Sequence, residues 1–279
     1  VVRWNSGKVS EIGVPAVNQL LTVEESKAGQ IAGLSTFPEP APTVFSNAGP
    51  LIDFVHRENR FSDFDRDRLL MQMVSSEGPR LATGDVNGDG RTDIFVCGAK
   101  DQSSALFVQQ ADGSFQSTNQ ALFQVDRLSE DTDALFFDAD NDGDADLYVT
   151  SGGNEFPSSS PALIDRLYLN DGKGDFTKSD QVLPSSRFES TACVEAADYD
   201  GDGDLDLFVG VRLKPFLYGA PVSSYLLEND GKGAFRNVTA EKAPGLEALG
   251  MVTDALWIDF DNDGDADLIA VGDWMPVTF

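Results

Sequence analysis

The sequence predicts an all-β chain built as a β-propeller of four-stranded blades, and three observations carry that prediction. A nine-residue pattern, D-x-[DN]-x-D-G-x-x-D, occurs four times without a gap. The copies are DVNGDGRTD from Asp85 to Asp93, DADNDGDAD from Asp138 to Asp146, DYDGDGDLD from Asp198 to Asp206 and DFDNDGDAD from Asp259 to Asp267. They start at 85, 138, 198 and 259, so they recur at intervals of 53, 60 and 61 residues. An Asp-Gly turn recurs in phase with them, in ADGSF (111–115), NDGKGDF (170–176) and NDGKGAF (229–235). Asp-Gly between apolar runs is a strong hairpin signal, because both residues tolerate positive φ.

Each repeat therefore reads as strand, Asp-rich loop, strand, longer connection, strand, Asp-Gly hairpin, strand. In the third repeat the strands are TACVEAA, LDLFVGV, SSYLLEN and GAFRNV. A blade of this kind cannot bury both faces alone and needs neighbours on both sides. The chain holds about three and a half blades, a partial ring, which leaves the remainder of its own longer chain as an expected partner.

The loop chemistry follows from the spacing. Calcium takes six to eight oxygens at ~2.3–2.6 Å, and side chains at positions 1, 3, 5 and 9 with a carbonyl at 7 supply most of them. The ligand sets are Asp85, Asn87, Asp89, Arg91 and Asp93; Asp138, Asp140, Asp142, Asp144 and Asp146; Asp198, Asp200, Asp202, Asp204 and Asp206; and Asp259, Asp261, Asp263, Asp265 and Asp267. Arg91, Asp144, Asp204 and Asp265 stand at position 7 and would contribute backbone carbonyls. Glycine at position 6 (Gly90, Gly143, Gly203, Gly264) permits the left-handed turn. Up to four Ca2+ ions are expected, the weakest at the first loop, where Asn87 and Arg91 replace acids. An EF-hand is excluded, since position 12 is Val96, Val149, Val209 or Ala270 instead of the required Glu, and the flanks are β-like.

Composition sets the outer limits. The formal charge is −27, with the acids concentrated in the four loops, and bound divalent ions would offset part of it. Clustered Lys and Arg of the kind that bind phosphate are missing, which argues against nucleic acid and anionic membranes. The two cysteines, Cys97 and Cys193, lie in strands one repeat or more apart and read as buried free thiols. There is no apolar run long enough to span a membrane. The chain opens at Val1 inside VVRW and ends at Phe279 inside MPVTF, so it reads as an excerpt of a longer protein.

Taken in order, residues 1–35 alternate apolar and polar positions (VVRW, KVSEIGV, QLLTVEE), as short strands of a small β-module do. Residues 36–78 form a linker around Pro38, Pro40 and Pro42, then a lead-in segment expected to supply an outer strand. The blades occupy 79–279.

Antiparallel alternation puts the Asp-rich loops and the Asp-Gly hairpins on one side, and the second-to-third and inter-blade connections on the other. The loop side is structural in this reading. The opposite side carries SGGNEFPSSSPALID (151–165), VRLKPFLYGAP (211–221) and GDWMP (272–276), where Asn154, Glu155, Arg212, Tyr218 and Trp274 are the candidates for binding a protein or glycan. Each has a plainer alternative, packing against the neighbouring blade. The sole histidine, His56, lacks a visible catalytic partner and reads as structural. The Asn237-Val238-Thr239 sequon is expected to be idle. An enzyme, such as a propeller-based polysaccharide lyase or hydrolase, is the competing reading. It would need converging acid and base groups, and no G-x-S-x-G, H-E-x-x-H or Cys/His pattern is present.

The repeats resemble the FG-GAP or VCBS repeats of integrin-α-like propellers, whose blades carry such a loop between their first two strands. FVHREN (54–59), GPRLATGDVNGDG, SGGNEF, DRLYLNDGKGDF, SYLLENDGKGAF, LGMVTDA and VGDWMP resemble bacterial surface proteins of the ASPIC/UnbV, cartilage-acidic-protein-like group. RWNSGKVSEI and NQLLTVEE resemble the latter part of the ASPIC/UnbV module, although that module usually follows a propeller and here precedes one. The resemblance implies an extracellular or outer-membrane-associated lipoprotein. It also implies a transporter or lipoprotein of a nutrient-uptake complex as a neighbour.

Overall fold

The computed structural model describes residues 1–6, 8–13, 20–29, 49–68, 70–184 and 188–279. The chain divides into two compact units, Val1–Gly49 and Pro50–Phe279. In the first, β1 (Val2–Arg3) pairs antiparallel with β2 (Val9–Ser10), Val9 bridges to Gly29, and Glu25–Lys27 form a 3-10 turn where a third strand was expected. Pro38, Pro40 and Pro42 lie outside the described residues.

The second unit opens with an irregular segment that contains α1 (Asp63–Arg66) and no strand among its described residues, so the expected outer strand is absent. Its order comes from side-chain anchors instead. Asp63 is fully buried and accepts from Val74 N, Ser75 N and Ser75 Oγ at 2.8–2.9 Å, which folds the segment back on itself.

Three four-stranded antiparallel meanders follow. They are β3 (Leu81–Gly84), β4 (Asp93–Val96), β5 (Ala105–Gln109) and β6 (Phe115–Thr118); then, after α2 (Gln120–Val125), β7 (Asp131–Phe137), β8 (Asp146–Ser151), β9 (Arg166–Leu169) and β10 (Thr177–Lys178); then β11 (Ser190–Ala197), β12 (Asp206–Leu213), β13 (Tyr225–Asn229) and β14 (Phe235–Asn237). Helix α3 (Thr239–Lys242) leads to the pair β15 (Met251–Ile258) and β16 (Asp267–Asp273), and Thr278 bridges to Ala270 at the far edge of β16. In every sheet the strands neighbour one another in sequence order, as in propeller blades.

The packing explains the second strands. In β12, Leu207, Val209 and Val211 face the preceding sheet while Phe208 faces the following one, the period of two of a strand covered on both sides. Strand β8 does the same: Leu147 and Val149 join the core shared with the first sheet, and Tyr148 the core shared with the third. A strand buried on both faces reads as a continuous apolar run, and LFVGV and LYV are such runs. The sheets approach closely at Gly210, where an added Cβ would stand 2.5 Å from Cys193 Sγ and 2.8 Å from Val252. Cys97 and Cys193 are free and buried, each in a different core.

Strands β7, β11 and β15 each carry one bulged residue near the start, at Thr132, Ala192 and Thr253. These three positions are equivalent, six residues before the first Asp of the following loop, and so lie about 20 Å from it along the strand.

Candidate functional site

Each Asp-rich loop joins the first and second strands of its sheet and is built by its own backbone. In all four, the position-1 carboxylate accepts the N–H of the position-6 glycine: Gly90 to Asp85 at 2.7 Å, Gly143 to Asp138 at 3.1 Å, Gly203 to Asp198 at 3.0 Å and Gly264 to Asp259 at 3.2 Å. Those glycines have φ of 78°, 92°, 98° and 99°, which an L side chain rarely adopts.

The result is a set of converging oxygens. Asp138, Asp140 and Asp146 bring one carboxylate oxygen each to within 4.8 Å of the others, as do Asp198, Asp200 and Asp206, and Asp259, Asp261 and Asp263. Oxygens bound to one ion at ~2.4 Å stand at most about 4.8 Å apart, so the spacing fits a calcium-sized cation. Four oxygens in the second and third loops, Asp138 Oδ1, Asp140 Oδ1, Asp144 Oδ1 and Asp206 Oδ2, are buried without a hydrogen-bond partner. Hard anionic oxygens left unpaired out of water fit a metal better than any protein donor present. These triads can hold a metal. The first loop differs, because the Arg91 guanidinium pairs with Asp89 and also donates to Gln109 O at 3.0 Å, so a cation of the chain already neutralises one candidate ligand.

Without an ion the crowding appears as shifted acidity. Burial first, and then like charge, raises Asp144 to about 6, and burial raises Asp146 and Asp206 to about 6 against the pull of backbone N–H donors. A divalent ion would reverse that balance.

Sequence spacing did not reveal that the position-9 Asp is also a clamp. Asp93, Asp146 and Asp206 are almost fully buried. One oxygen accepts the backbone N–H that ends or follows the third strand, from Gln109, Asn170 and Asn229 respectively, each at 2.8 Å. In the first two, the other oxygen accepts from position 2 of the same loop, Val86 and Ala139, at 2.9 Å. Loop and hairpin are thus tied at one buried carboxylate.

The Asp-Gly hairpins then tie neighbouring sheets together. Asn170 Nδ2 donates to Ala145 O in its own loop and to Val86 O in the preceding one, at 3.0 and 2.8 Å. Asn229 Nδ2 repeats this with Leu205 O and Ala139 O, at 3.1 and 2.8 Å. On the outer strands, Asn119 clamps Gly174 O and Phe176 N, and Gln181 clamps Gly233 O and Phe235 N. Asn141 of the second loop donates to Asp204 of the third. The recurrence of N-D-G-K-G was the available signal for Asn170 and Asn229. Asn229→Ala is expected to destabilise by roughly 1–3 kcal/mol through two carbonyls stripped of donors, measured as a shifted denaturant midpoint at constant slope.

The opposite ends of the strands look different. Asn154 and Glu155, expected to be available to a partner, are instead occupied by the chain's own lead-in segment. Glu155 accepts both bonds of Asn59 Nδ2, at 3.0 and 2.8 Å, and pairs with Lys100 at 3.4 Å. Asn154 is fully buried, its N–H donating to Ser75 Oγ, its Oδ1 accepting from Phe216 N and its carbonyl accepting from Arg66 Nη1. Arg66 stacks 3.2 Å over the Phe216 ring. His56 belongs to the same segment, with Nε2 at 2.7 Å from Glu58 and its ring against Gly78.

Arg212, Tyr218 and Trp274 meet nearby around Asp273. Arg212 Nη2 donates to Glu77 Oε1 at 3.0 Å and Asp273 Oδ2 at 2.9 Å, and Tyr218 donates to the same Asp273 oxygen at 3.2 Å. Trp274, the next residue, is 73% exposed with φ of 58°. Farther along the first strands, burial and then Asp133 and Asp254 push Glu195 up to about 7. A raised carboxyl stabilises the fold below its unfolded value and loses that contribution as pH climbs through the folded one. Glu195→Gln is therefore expected to gain melting temperature over the parent as pH rises from about 5 to 8, with the difference smallest at the acid end.

No helix among the described residues is long and apolar enough to cross a membrane. No match to the curated proteins was found. Among solved structures, the chain is similar to a "putative exo-beta-1,3-galactanase" from Bifidobacterium bifidum s17, at 9% identity and a TM-score of 0.33 over 56% of this chain and 49% of that one. The chain thus spans about half the length of that structure. A family model described as FG-GAP-like repeat matches residues 85–149 and 138–209. Each match begins at the first Asp of one loop and ends just past the next loop, so the unit it repeats is the sheet-and-loop unit described above. The chain contains FG-GAP-like repeats.

Proposed function

We propose that this chain is part of a calcium-stabilised, surface-located β-propeller that binds a glycan or a protein through the side opposite its Asp-rich loops. The observation that carries the reading is the division of labour between the two sides. On the loop side, the polar groups of Asp93, Asp146, Asp206, Asn170 and Asn229 are engaged in internal bonds. On the other side, Arg212, Tyr218 and Trp274, from two connections, converge around Asp273, with Trp274 exposed.

Calcium is the ion the loops suit, from their all-oxygen donor set and their spacing, with up to four sites. Open loops of this class bind with Kd of ~10⁻⁴ to 10⁻³ M in extracellular modules, which supports a location outside the cytosol. FG-GAP-like repeats are typical of extracellular or surface proteins, which supports the same location. Membership of the ASPIC/UnbV group, a lipoprotein anchor and a neighbouring outer-membrane transporter belong to the same proposal, through the resemblance of FVHREN and VGDWMP.

The test is affinity purification of the full-length protein from its native membrane in calcium, beside screening on a glycan panel. Saturable binding of a glycan or of one stoichiometric protein, weakened by Trp274→Ala but not by Lys232→Ala in the Asp-Gly hairpin on the loop side, is the expected result. Recovery of the protein alone with no glycan bound overturns the binding role, and steady turnover of a polysaccharide replaces it with the enzyme reading.

A further inference from the structure

On the proposed binding side, a cleft of about 350 Å³ opens where three sheets bring their first strands together. Its walls include Gln72, Glu77, Arg80, Thr132, Arg212 and Thr253. Thr132 and Thr253 are bulged residues at equivalent positions, so the fold itself turns them out of the ladder at this end.

The hydrogen-bonding inventory of the cleft is specific. Arg212 holds Glu77 and Asp273 together on one nitrogen, and its Nε is buried with no partner. The Arg80 side chain is exposed and makes no hydrogen bond or ion pair among the described residues. Thr253 donates its hydroxyl proton inward to Val271 O at 3.3 Å and so keeps lone pairs to accept with, while Thr132 Oγ1 has two inward partners, Thr191 O at 2.8 Å and Thr150 Oγ1 at 2.9 Å. Burial raises the Glu77 carboxyl, opposed by Arg212. The cleft thus offers donor-only guanidinium groups beside acceptor-only carboxylates and hydroxyl lone pairs.

Charge decides what such a surface can take. The two guanidinium groups of the lining, Arg80 and Arg212, are matched by Glu77 in the lining and by Asp273, which Arg212 holds from beside it, so the surface is close to neutral. Asp133 and Asp254 stand behind it and disfavour an anion, while Arg80 and Arg212 disfavour a cation. A neutral ligand with many hydroxyls meets no such penalty, because each hydroxyl both donates and accepts and gains a charge-assisted bond in each role. The volume lies near the lower end of the ~300–1,000 Å³ of small-ligand sites. Trp274, next in sequence to the Asp273 that Arg212 holds, adds an exposed flat apolar face on the same side of the sheets.

We propose that this cleft binds a terminal or internal sugar unit of a neutral saccharide, with Arg80 and Arg212 donating to its hydroxyl oxygens and Glu77 and Asp273 accepting its hydroxyl protons. The inference rests on reading this side as the binding side and names the ligand class and the contacts.

Titration calorimetry on the full chain in excess calcium tests it, with cellohexaose, xylohexaose, mannohexaose and laminarihexaose as neutral probes. Hexagalacturonate serves as the acidic probe and a chitosan hexamer as the basic one. At least one neutral probe is expected to bind, about tenfold more weakly in Arg80→Ala and in Thr253→Val, the loss of roughly one charge-assisted or buried bond. Arg80 makes no internal hydrogen bond or ion pair, only longer-range attraction to Glu77 and Asp133, so the melting temperature of that variant should stay close to the parent. Neutral binding unchanged in both variants overturns the assignment, as does a preference for hexagalacturonate or chitosan. Capture of a protein on this side without saccharide binding also overturns it while leaving the binding side in place. Absence of binding by every saccharide probe and every protein overturns both.

Discussion

Chelating divalent ions lowers the melting temperature of the chain by roughly 5–10 °C for each loop site held at a hundredfold excess of calcium over its Kd. The estimate follows from mass action. An ion that binds only the folded state contributes ~2.7 kcal/mol at a hundredfold excess over Kd, about 10 mM calcium for a Kd of ~10⁻⁴ M. For a domain of this size each kcal/mol moves the midpoint by about 2–4 °C. The mechanism is visible in the loops. The second and third loops each bury carboxylate oxygens that lack a partner, and like charges crowd around them. Removing the cation leaves that repulsion uncompensated at the seams where Asn170 and Asn229 join one sheet to the next. A scan in which chelator and calcium give superimposable melting curves contradicts the metal assignment.

Asp206→Ala is expected to be the most damaging single substitution in the third loop. Asp206 is 1% exposed and accepts from Asn229 N at 2.8 Å, while its second oxygen is buried without a partner. Truncation strands one buried donor, at ~1–3 kcal/mol before any lost ion is counted. Asp206→Asn keeps one acceptor oxygen and should fall between alanine and parent. Asp202→Ala tests the contrast, since Asp202 lies outside the converging triad and is exposed, so it should fold nearly as well as the parent without calcium. Chemical denaturation in chelator, where only the clamp is read, checks the order. Equal losses at Asp202 and Asp206 would show that the clamp is unimportant.

Much of this was legible from residues alone because it is local and repeated. The four loops, the Asp-Gly hairpins and the buried second strands all announce themselves within a dozen residues, by glycine at a positive-φ position or by a continuous apolar run. What escaped was long-range. The lead-in segment has no periodicity, and its anchors, such as Asn59 to Glu155, join residues 96 apart. Asn154 and Glu155 sit in a polar loop that reads as open surface until that segment is laid over it. The double duty of Asp206, ligand candidate and backbone clamp, is also invisible in the pattern, since position 9 is explained once a metal is assumed. Arg212 was picked for its residue type, yet its role depends on Glu77 and Asp273, which the sequence places in the lead-in segment and in the fourth repeat.

The most direct test of the central claim, that the Asp-rich loops are calcium fastenings, is a calorimetric calcium titration of the full chain beside Asp198→Asn and Asp89→Asn variants. The account predicts binding at the three loops with complete carboxylate triads, tighter than at the first loop, where Arg91 occupies Asp89. One tight site should vanish in Asp198→Asn, and Asp89→Asn should leave the tight sites intact. Absence of calcium binding at millimolar concentration, or a stoichiometry unchanged by Asp198→Asn, would contradict it.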